Sequence, residues 1–403
     1  MNIMLNRLLY VLMVSGCFSG ISVAGESITL KNALSIAEEN NAKIISVKKD
    51  VEIAKAGLVQ SCAYPNPSLD IKVEDFENTG YELGINQELE LFRKRAARKS
   101  KAHGLIMIAN EQLRLISLDV AMEVKKKYYE LLLGQKRTEI AVKNLDLVRK
   151  LFASVQDKYN SGAVYLNELL RAKIELSQAE NEAVSSEKEM QVVKSQLNFL
   201  LGRPVNSGWM IGSSFAYVEK KLDYSVLLDK AFMQNPELKI KLLSVGLGKK
   251  EVSLSKLAVF PNPAIGVIYT KEGENKLLGA SVGFSMPFWY RNAGEIKEKE
   301  AGLEKAENDF EYFKKQLELD LYGIFTAAES AAKRISTLKN NIEEVVEIQN
   351  LIDIQYKEGK SDFLTYLDNV KTVRTIKLSY YEAIADYETK IAVMERIIGE
   401  NIE

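Results

Sequence analysis

The chain has 403 residues, with 54 Lys plus Arg against 55 Asp plus Glu. This balance lacks the basic footprint of a nucleic-acid-binding protein. One histidine and two cysteines are too few for a Cys/His zinc site or a disulfide framework.

The N-terminal stretch "MNIMLNRLLYVLMVSGCFSGISVAGES" places Arg7 before an apolar core and Ser22-Val23-Ala24 before Gly25. It reads as a secretory signal over 1–24, cleaved after Ala24. A second reading stays open. Val14-Ser15-Gly16-Cys17 is like a bacterial lipobox, which would leave Cys17 acylated at the new N-terminus. In either case the protein leaves the cytoplasm. No later segment has the roughly 20 apolar residues of a spanning helix, so any membrane crossing must be made by a β-barrel.

A short helical segment, "ALSIAEENNAKI" from Ala33, leads to "AYPNPSLDIKVED". Proline ends helices and forces the preceding residue into extended geometry. The turn therefore reads as the hinge from a helix into a strand. After it, Leu69, Ile71 and Val73 alternate with Asp70, Lys72 and Glu74. Past "FENTG", Tyr81, Leu83, Ile85, Leu89 and Leu91 alternate with Glu82, Gly84, Asn86, Glu88 and Glu90. One face is apolar and the other is acidic and polar, the pattern of a membrane strand with lipid outside and water within. A soluble sheet with core and solvent faces gives the same alternation.

The proline-free run from Ser68 to Arg203 has room for very long helices. A first one, from Lys94 to about Tyr159, would extend on the order of 100 Å. Tyr159-Asn160-Ser161-Gly162 interrupts it, with glycine suited to the positive-φ end of a helix. On the returning helix, Leu169, Leu176, Ala183, Met190 and Leu197 recur every seven residues. Ala172, Ala179, Ser186, Val193 and Leu200 form the companion seam, a coiled-coil register. His103 reads as a solvated helix residue and Cys62 as a small packing residue.

The remaining half repeats the first. Pro65 and Pro261 are 196 residues apart (65 to 261), and Gly162 and Gly359 are 197 apart (162 to 359). "LLDKAFMQNPELKI" matches the first short helix, aligning Ala37 with Ala231 and Asn41 with Asn235. Then follow "FPNPAI", the alternating runs around Ile265, Val267 and Tyr269 and from Leu278 to Met286, and Phe288-Trp289-Tyr290, which fits an interfacial aromatic girdle. Tyr366, Val373, Tyr380, Tyr387 and Met394 repeat the heptad seam. An internal duplication explains the shared offset. The expected division is a first repeat over 25–204, with strands at about 67–75 and 80–91 and a helical hairpin at about 94–201. The second repeat covers 205–403, with strands at about 263–271 and 277–287 and a hairpin at about 289–400. Four strands cannot close a barrel around a passage. If they span a bilayer, several copies must contribute.

The paired "YPNPSL" and "FPNPAI" turns, "NNA" and "QNP" in the short helices, Tyr-x-x-Gly at both tips, and "LNFLLGRP" at Leu197 to Pro204 resemble the TolC-type outer-membrane efflux proteins. The resemblance is to the cation-efflux branch with CusC-like and CzcC-like members, and it covers nearly all of the mature chain. Two departures stand out. Ala42 replaces a usual proline, and Phe92-Arg93 replaces a usual Gly-Gly pair. The resemblance implies a mainly α, duplicated fold with a membrane β-barrel part. It further implies an outer-membrane homotrimer with a shared twelve-stranded barrel and a twelve-helix periplasmic tunnel. A periplasmic adaptor and an inner-membrane pump, often of the resistance-nodulation-division class, are the implied partners. Such a protein is a passive exit duct.

The sequence shows no nucleophile elbow, phosphate loop or zinc motif, so neither enzyme activity nor a cofactor is expected. The chemistry to look for is pore electrostatics. Asp70, Glu74, Glu82, Glu88 and Glu90 are candidate lumen carboxylates, partly offset by Lys72; as ordinary hydrated residues they would carry no selectivity. The resemblance puts gate carboxylates just past the second tip, where Asp368 matches one position and Thr365 occupies another, with Asp362, Glu168 and Arg171 nearby. Tyr159, Gly162, Tyr356 and Gly359 are candidate adaptor-docking residues or hairpin closures, two compatible roles. Metal export finds no support in His, Cys or Met clusters. A soluble periplasmic coiled-coil adaptor or scaffold is the alternative that the heptads alone would serve.

Overall fold

A computed structural model of the protein describes residues 27–74, 80–212 and 215–402. The signal segment 1–24, Cys17, and most of the "FENTG" turn lie outside the described residues. The chain opens with β1 (Ser27–Ile28), α1 (Leu30–Asn40) and α2 (Ala42–Cys62). Strands β2 (Ser68–Glu74) and β3 (Gly80–Glu88) precede helices α3 (Lys94–Asn160) and α4 (Leu166–Leu200). The second repeat has β4 (Met210–Ile211), α5 (Tyr224–Gln234), α6 (Pro236–Ala258), β5 (Ala264–Glu272), β6 (Asn275–Gly283), α7 (Ala293–Lys357) and α8 (Phe363–Ile398). The short helical segment expected in each half is thus two helices, split at Asn41 and at Asn235.

Those asparagines explain the splits. Asn41 is in extended geometry, and its side chain accepts from the Lys43 amide at 2.9 Å to cap α2. Asn235 accepts from the Leu238 amide at 2.7 Å to cap α6, with Pro236 in the first turn, where its missing N–H costs nothing. Helix α3 runs 67 residues and α7 runs 65, about 100 Å each at 1.5 Å per residue. Each turns at a glycine in the left-handed region, Gly162 at φ 77° and Gly359 at φ 70°. A Cβ on either would meet nothing within 4 Å, so backbone conformation rather than space selects glycine there.

The heptad seams are the packed faces. Ala172, Ala179, Ala183 and Leu197 are buried on α4, and Tyr366, Val373, Tyr387 and Met394 on α8. Two cores show the duplication side by side. Val120, Val124 and Leu197 pack with Ala33, Ala37 and Ile44; Leu317, Leu321 and Met394 pack with Leu227, Ala231 and Leu238. A third cluster near the tips joins both hairpins through Leu151, Val155, Ala172, Ile352, Phe363 and Val370.

The strands form one antiparallel sheet in the order β2-β3-β5-β6, while β1 and β4 pair in parallel elsewhere. The repeats join at β3 and β5, where Leu83 faces Tyr269 and Ile85 faces Val267. Strand β3 ends at Glu88 and β6 at Gly283, short of the expected 91 and 287. The shared cause is Pro263 just before β5. With β5 starting at Ala264, neither neighbour has a ladder partner further along, and one last bond runs from the Leu89 amide to the Pro263 carbonyl at 2.8 Å.

Phe92 and Arg93 adopt φ of 56° and 64°, and Asn292 sits at 57°. These are left-handed conformations that glycine adopts without steric cost. The departure from Gly-Gly noted in the sequence therefore keeps the backbone bend and adds side chains to it. Phe92 uses its ring to stack on Phe260 at 4.8 Å between centroids.

Candidate functional site

The sheet separates two chemistries. Leu69, Ile71, Leu83, Ile85, Val267, Tyr269, Leu278 and Val282 share one face by register. All but Tyr269 are large exposed hydrophobics, Leu278 and Val282 at above 70% exposure. A protein in water does not leave such a sheet face bare. The opposite face holds Asp70, Lys72, Glu82, Asn86, Thr270 and Ser281, with Gly84, Gly266 and Gly279 among them and Ile268 and Leu277 as apolar exceptions.

The polar face is internally bonded. Asn86 donates to Asp70 at 2.6 Å and accepts from the Ser281 hydroxyl at 3.1 Å. Its side chain reaches across Gly266, where a Cβ would lie 2.0 Å from the Asn86 oxygen. Lys72 donates to Glu82 at 3.0 Å, and Glu88 accepts from Asn262 at 2.7 Å. Glu74 closes β2 opposite Gly80. Glu90 is not on the sheet. It lies beyond the end of β3, nearly buried and ion-paired with Arg98 at 2.6 Å. Alternation carried it onto the polar face, but the strand had already ended.

At the junction between sheet and helices, the first turns of α3 hold both Pro-Asn-Pro turns. Lys94 is buried and donates to the Phe260 carbonyl and, at 2.8 Å, to the Asn262 side chain. Arg95 donates to the Cys62 carbonyl and the Tyr64 hydroxyl, both at 2.7 Å. Arg98 donates to the Ala63 carbonyl at 3.1 Å. Basic residues oppose the helix dipole at an N-terminus, and these carbonyls compensate them. Phe288, Trp289 and Tyr290 follow β6 rather than ending it, and all are exposed, Trp289 completely. The Tyr290 hydroxyl accepts from the Gly294 and Glu295 amides at 3.0 and 3.3 Å. It caps α7, whose own N-cap Asn292 makes no side-chain cap bond.

The tip residues divide into two groups. Asp362 caps α8, accepting from the Thr365 amide and hydroxyl, both at 2.9 Å; these bonds hold its carboxyl below the usual range. Tyr356 is stacked on Tyr366 at 4.5 Å, with the Lys158 ammonium 4.9 Å over its ring. Tyr366 donates to Asp353 at 2.9 Å. Tyr356 thus closes the hairpins, whereas Tyr159 is partly exposed. Asp368 and Arg171 are exposed, and neither makes an ion pair within the described residues; Glu168 sits in the first turn of α4. Tyr165, which the sequence reading passed over, is 81% exposed at the first tip, followed by exposed Leu166, Leu170 and Ile174. A signal existed. The 197-residue offset puts Tyr165 where the second repeat has the capping Asp362, an aromatic in place of a cap.

Among the described residues no cluster of His, Cys, Asp and Glu could hold a metal ion, and no helix is long and apolar enough to cross a membrane. The arrangement is that of a channel wall, with a sheet greasy outside and polar inside continuing into long helical hairpins.

The model of the family "Outer membrane efflux protein" matches residues 33–203. The cobalt-zinc-cadmium resistance protein CzcC of Cupriavidus metallidurans is 22% identical over 389 residues, covering 93% of this chain and 91% of that protein. The crystal structure of CusC superposes with a TM-score of 0.77 at 14% identity, covering 92% of each chain. The Campylobacter jejuni CmeC outer membrane channel gives 0.81 at 13% identity, covering 93% of this chain and 86% of that one. The first repeat thus matches the outer membrane efflux protein family, and the chain has the TolC-like fold. The matched family is one of outer-membrane efflux proteins, and the superposed structures are membrane channels.

Proposed function

We propose that three copies of this chain form a passive exit duct for heavy-metal cations, fed by an inner-membrane pump through a periplasmic adaptor. The observation that carries this reading is the sheet. Its outward face is apolar, and its edge strands β2 and β6 each have a neighbour on one side only. Pairing β6 of one copy with β2 of the next satisfies those edges in the bilayer. Three copies give a twelve-stranded barrel over a twelve-helix tunnel. Phe288, Trp289 and Tyr290 then sit at the membrane interface among outer-membrane lipids. The lumen presents Asp70, Glu74, Glu82 and Glu88. Residues 1–24 export the chain, with Cys17 the alternative acylated terminus.

The periplasmic end is closed by an iris in which Asp368 supplies the carboxylate ring and Arg171 and Glu168 its polar links. Asp362 and Thr365 shape the helix ends that carry it. The adaptor docks at the tips around Tyr159, Gly162, Tyr356 and Gly359 and opens the iris; the pump is of the resistance-nodulation-division class. The metal-cation substrate follows the similarity to CzcC, whose name specifies cobalt, zinc and cadmium resistance. Two experiments test the reading. Mass measurement of detergent-purified protein should give three copies, and a monomer soluble without detergent would refute the barrel. Disrupting the gene should sensitise cells to divalent metals more than to dyes or antibiotics, and the reverse order would remove metals as the cargo.

A further inference from the structure

The register places Val73, Tyr81, Lys271 and Lys276 in one row across the four strands. Tyr81, Lys271 and Lys276 each stand two residues from Leu83, Tyr269 and Leu278, so the row continues the lipid-facing side. It is the last row on that face before the β5–β6 hairpin turn at Gly273, whose φ is 58°. The long helices leave the sheet from its other end. With the helices in the periplasm, the row lies at the outer rim, just beyond the apolar band.

Two lysines directly opposite on one face repel each other, an arrangement antiparallel pairs avoid. Here they also face lipid. Among the described residues neither ammonium has a carboxylate within ion-pair distance. Glu272 shares the hairpin but belongs to the opposite face, in the row with Gly80 and Asn275. The Lys271 ammonium lies 5.9 Å from the centre of the Tyr81 ring, which is tilted against Tyr269 at 6.1 Å. Lys276 is exposed. Unbalanced cations at headgroup depth, flanked by two tyrosines, call for an anion supplied by the surrounding leaflet.

We propose that Lys271 and Lys276, with Tyr81, bind the phosphate of a phosphorylated lipid in the outer leaflet, once per copy around the barrel. The site rests on the outer-membrane seat of the sheet and not on the nature of the cargo or the pump.

The test uses purified full-length protein in detergent, stripped of lipid and titrated with bisphosphorylated lipid A, its dephosphorylated form, and inorganic phosphate, with bound lipid read by native mass spectrometry. Wild type should retain the bisphosphorylated lipid and lose the dephosphorylated one. The K271Q/K276Q variant should bind it about 30-fold more weakly, the loss of two lysine–anion contacts near a membrane surface. The K271R/K276R variant should restore binding and controls for folding, along with circular dichroism of all three proteins. Equal retention of the two lipids, or equal binding by wild type and K271Q/K276Q, overturns the proposal. Competition by inorganic phosphate at the same concentration as the lipid overturns the lipid as its source. Loss of the apolar sheet's membrane seat would show separately, as protein that needs no detergent.

Discussion

Asn235 donates through its side-chain amide to the Ile397 carbonyl at 2.8 Å, and Asn41 makes the same bond to Leu200, also at 2.8 Å. Each asparagine ends one helix, caps the next, and ties both to the C-terminal end of its own repeat's returning helix. Asn235 is fully buried and Asn41 almost so. Removing either side chain deletes a cap and leaves a buried carbonyl unpaired. Asn235→Ala should lower stability by about 2–4 kcal/mol and Asn41→Ala by somewhat less. Apparent melting temperatures of the detergent-purified proteins check this; an unshifted Asn235→Ala would refute it.

Four of the left-handed glycines should respond unequally to alanine. At Gly162 and Gly359 the added methyl meets open space, so only the conformational cost of roughly 1–2 kcal/mol applies. At Gly202 the methyl would lie 2.4 Å from the Asn40 carbonyl oxygen, and at Gly399 2.5 Å from that of Gln234. A steric cost of about 1–3 kcal/mol then adds. Melting should therefore rank the two tip variants above the two inner ones, and the reverse order would show that the clashes relax freely.

Asp368 and Asp362 should separate gate from scaffold. Asp368→Ala removes an exposed carboxylate with no ion-pair partner among the described residues and should raise single-channel conductance in planar bilayers. An unchanged pore takes Asp368 out of the iris. Asp362→Ala removes the bonds to Thr365 and should chiefly destabilise the start of α8.

Asp70, a proposed lumen carboxylate, is bonded to the neutral Asn86, whereas Glu82 is neutralised by Lys72. In a threefold lumen Asp70→Asn should lower cation preference, read as a shift of reversal potential in a salt gradient. Glu82→Gln removes the same unit of negative charge and the carboxylate that offsets Lys72, so it should lower the preference at least as much. A clearly smaller shift for Glu82→Gln would refute this.

Glu388 gives a pH signature. Burial raises its carboxyl above the ordinary 4.5, although the Tyr129 hydrogen bond and the nearby Lys220 and Lys125 charges oppose the rise and Glu395 adds to it. The folded protein holds this proton where the unfolded chain has lost it. The contribution of Glu388 to stability is therefore greatest below about pH 4.5 and declines as pH climbs through the raised value. Glu388→Gln should gain on wild type over that interval. A difference that stays flat from pH 4 to 8 would contradict the assignment.

Much of this architecture was legible because period and parity are local. Heptads at Leu169 to Leu197 fixed the packed face of α4, and alternation from Leu69 to Val73 fixed the lipid side of β2. What stayed hidden depends on neighbours. The end of β3 is decided by Pro263 on another strand, so Glu90 could not be placed from its own segment. Asp362 looks like any tip carboxylate until Thr365 folds back on it, and Tyr356 like an exposed aromatic until Tyr366 covers it. Lys94 carries no signal that it would reach Phe260, 166 residues away.

In the proposed trimer the Tyr290 ring stands at the bilayer edge while its hydroxyl holds the opening amides of α7, with Gly294 leaving room for it. The depth at which the molecule floats and the point at which its rod begins are thereby set by one side chain. A relative that shifted its girdle to suit a thicker membrane would have to relocate the root of its tunnel as well.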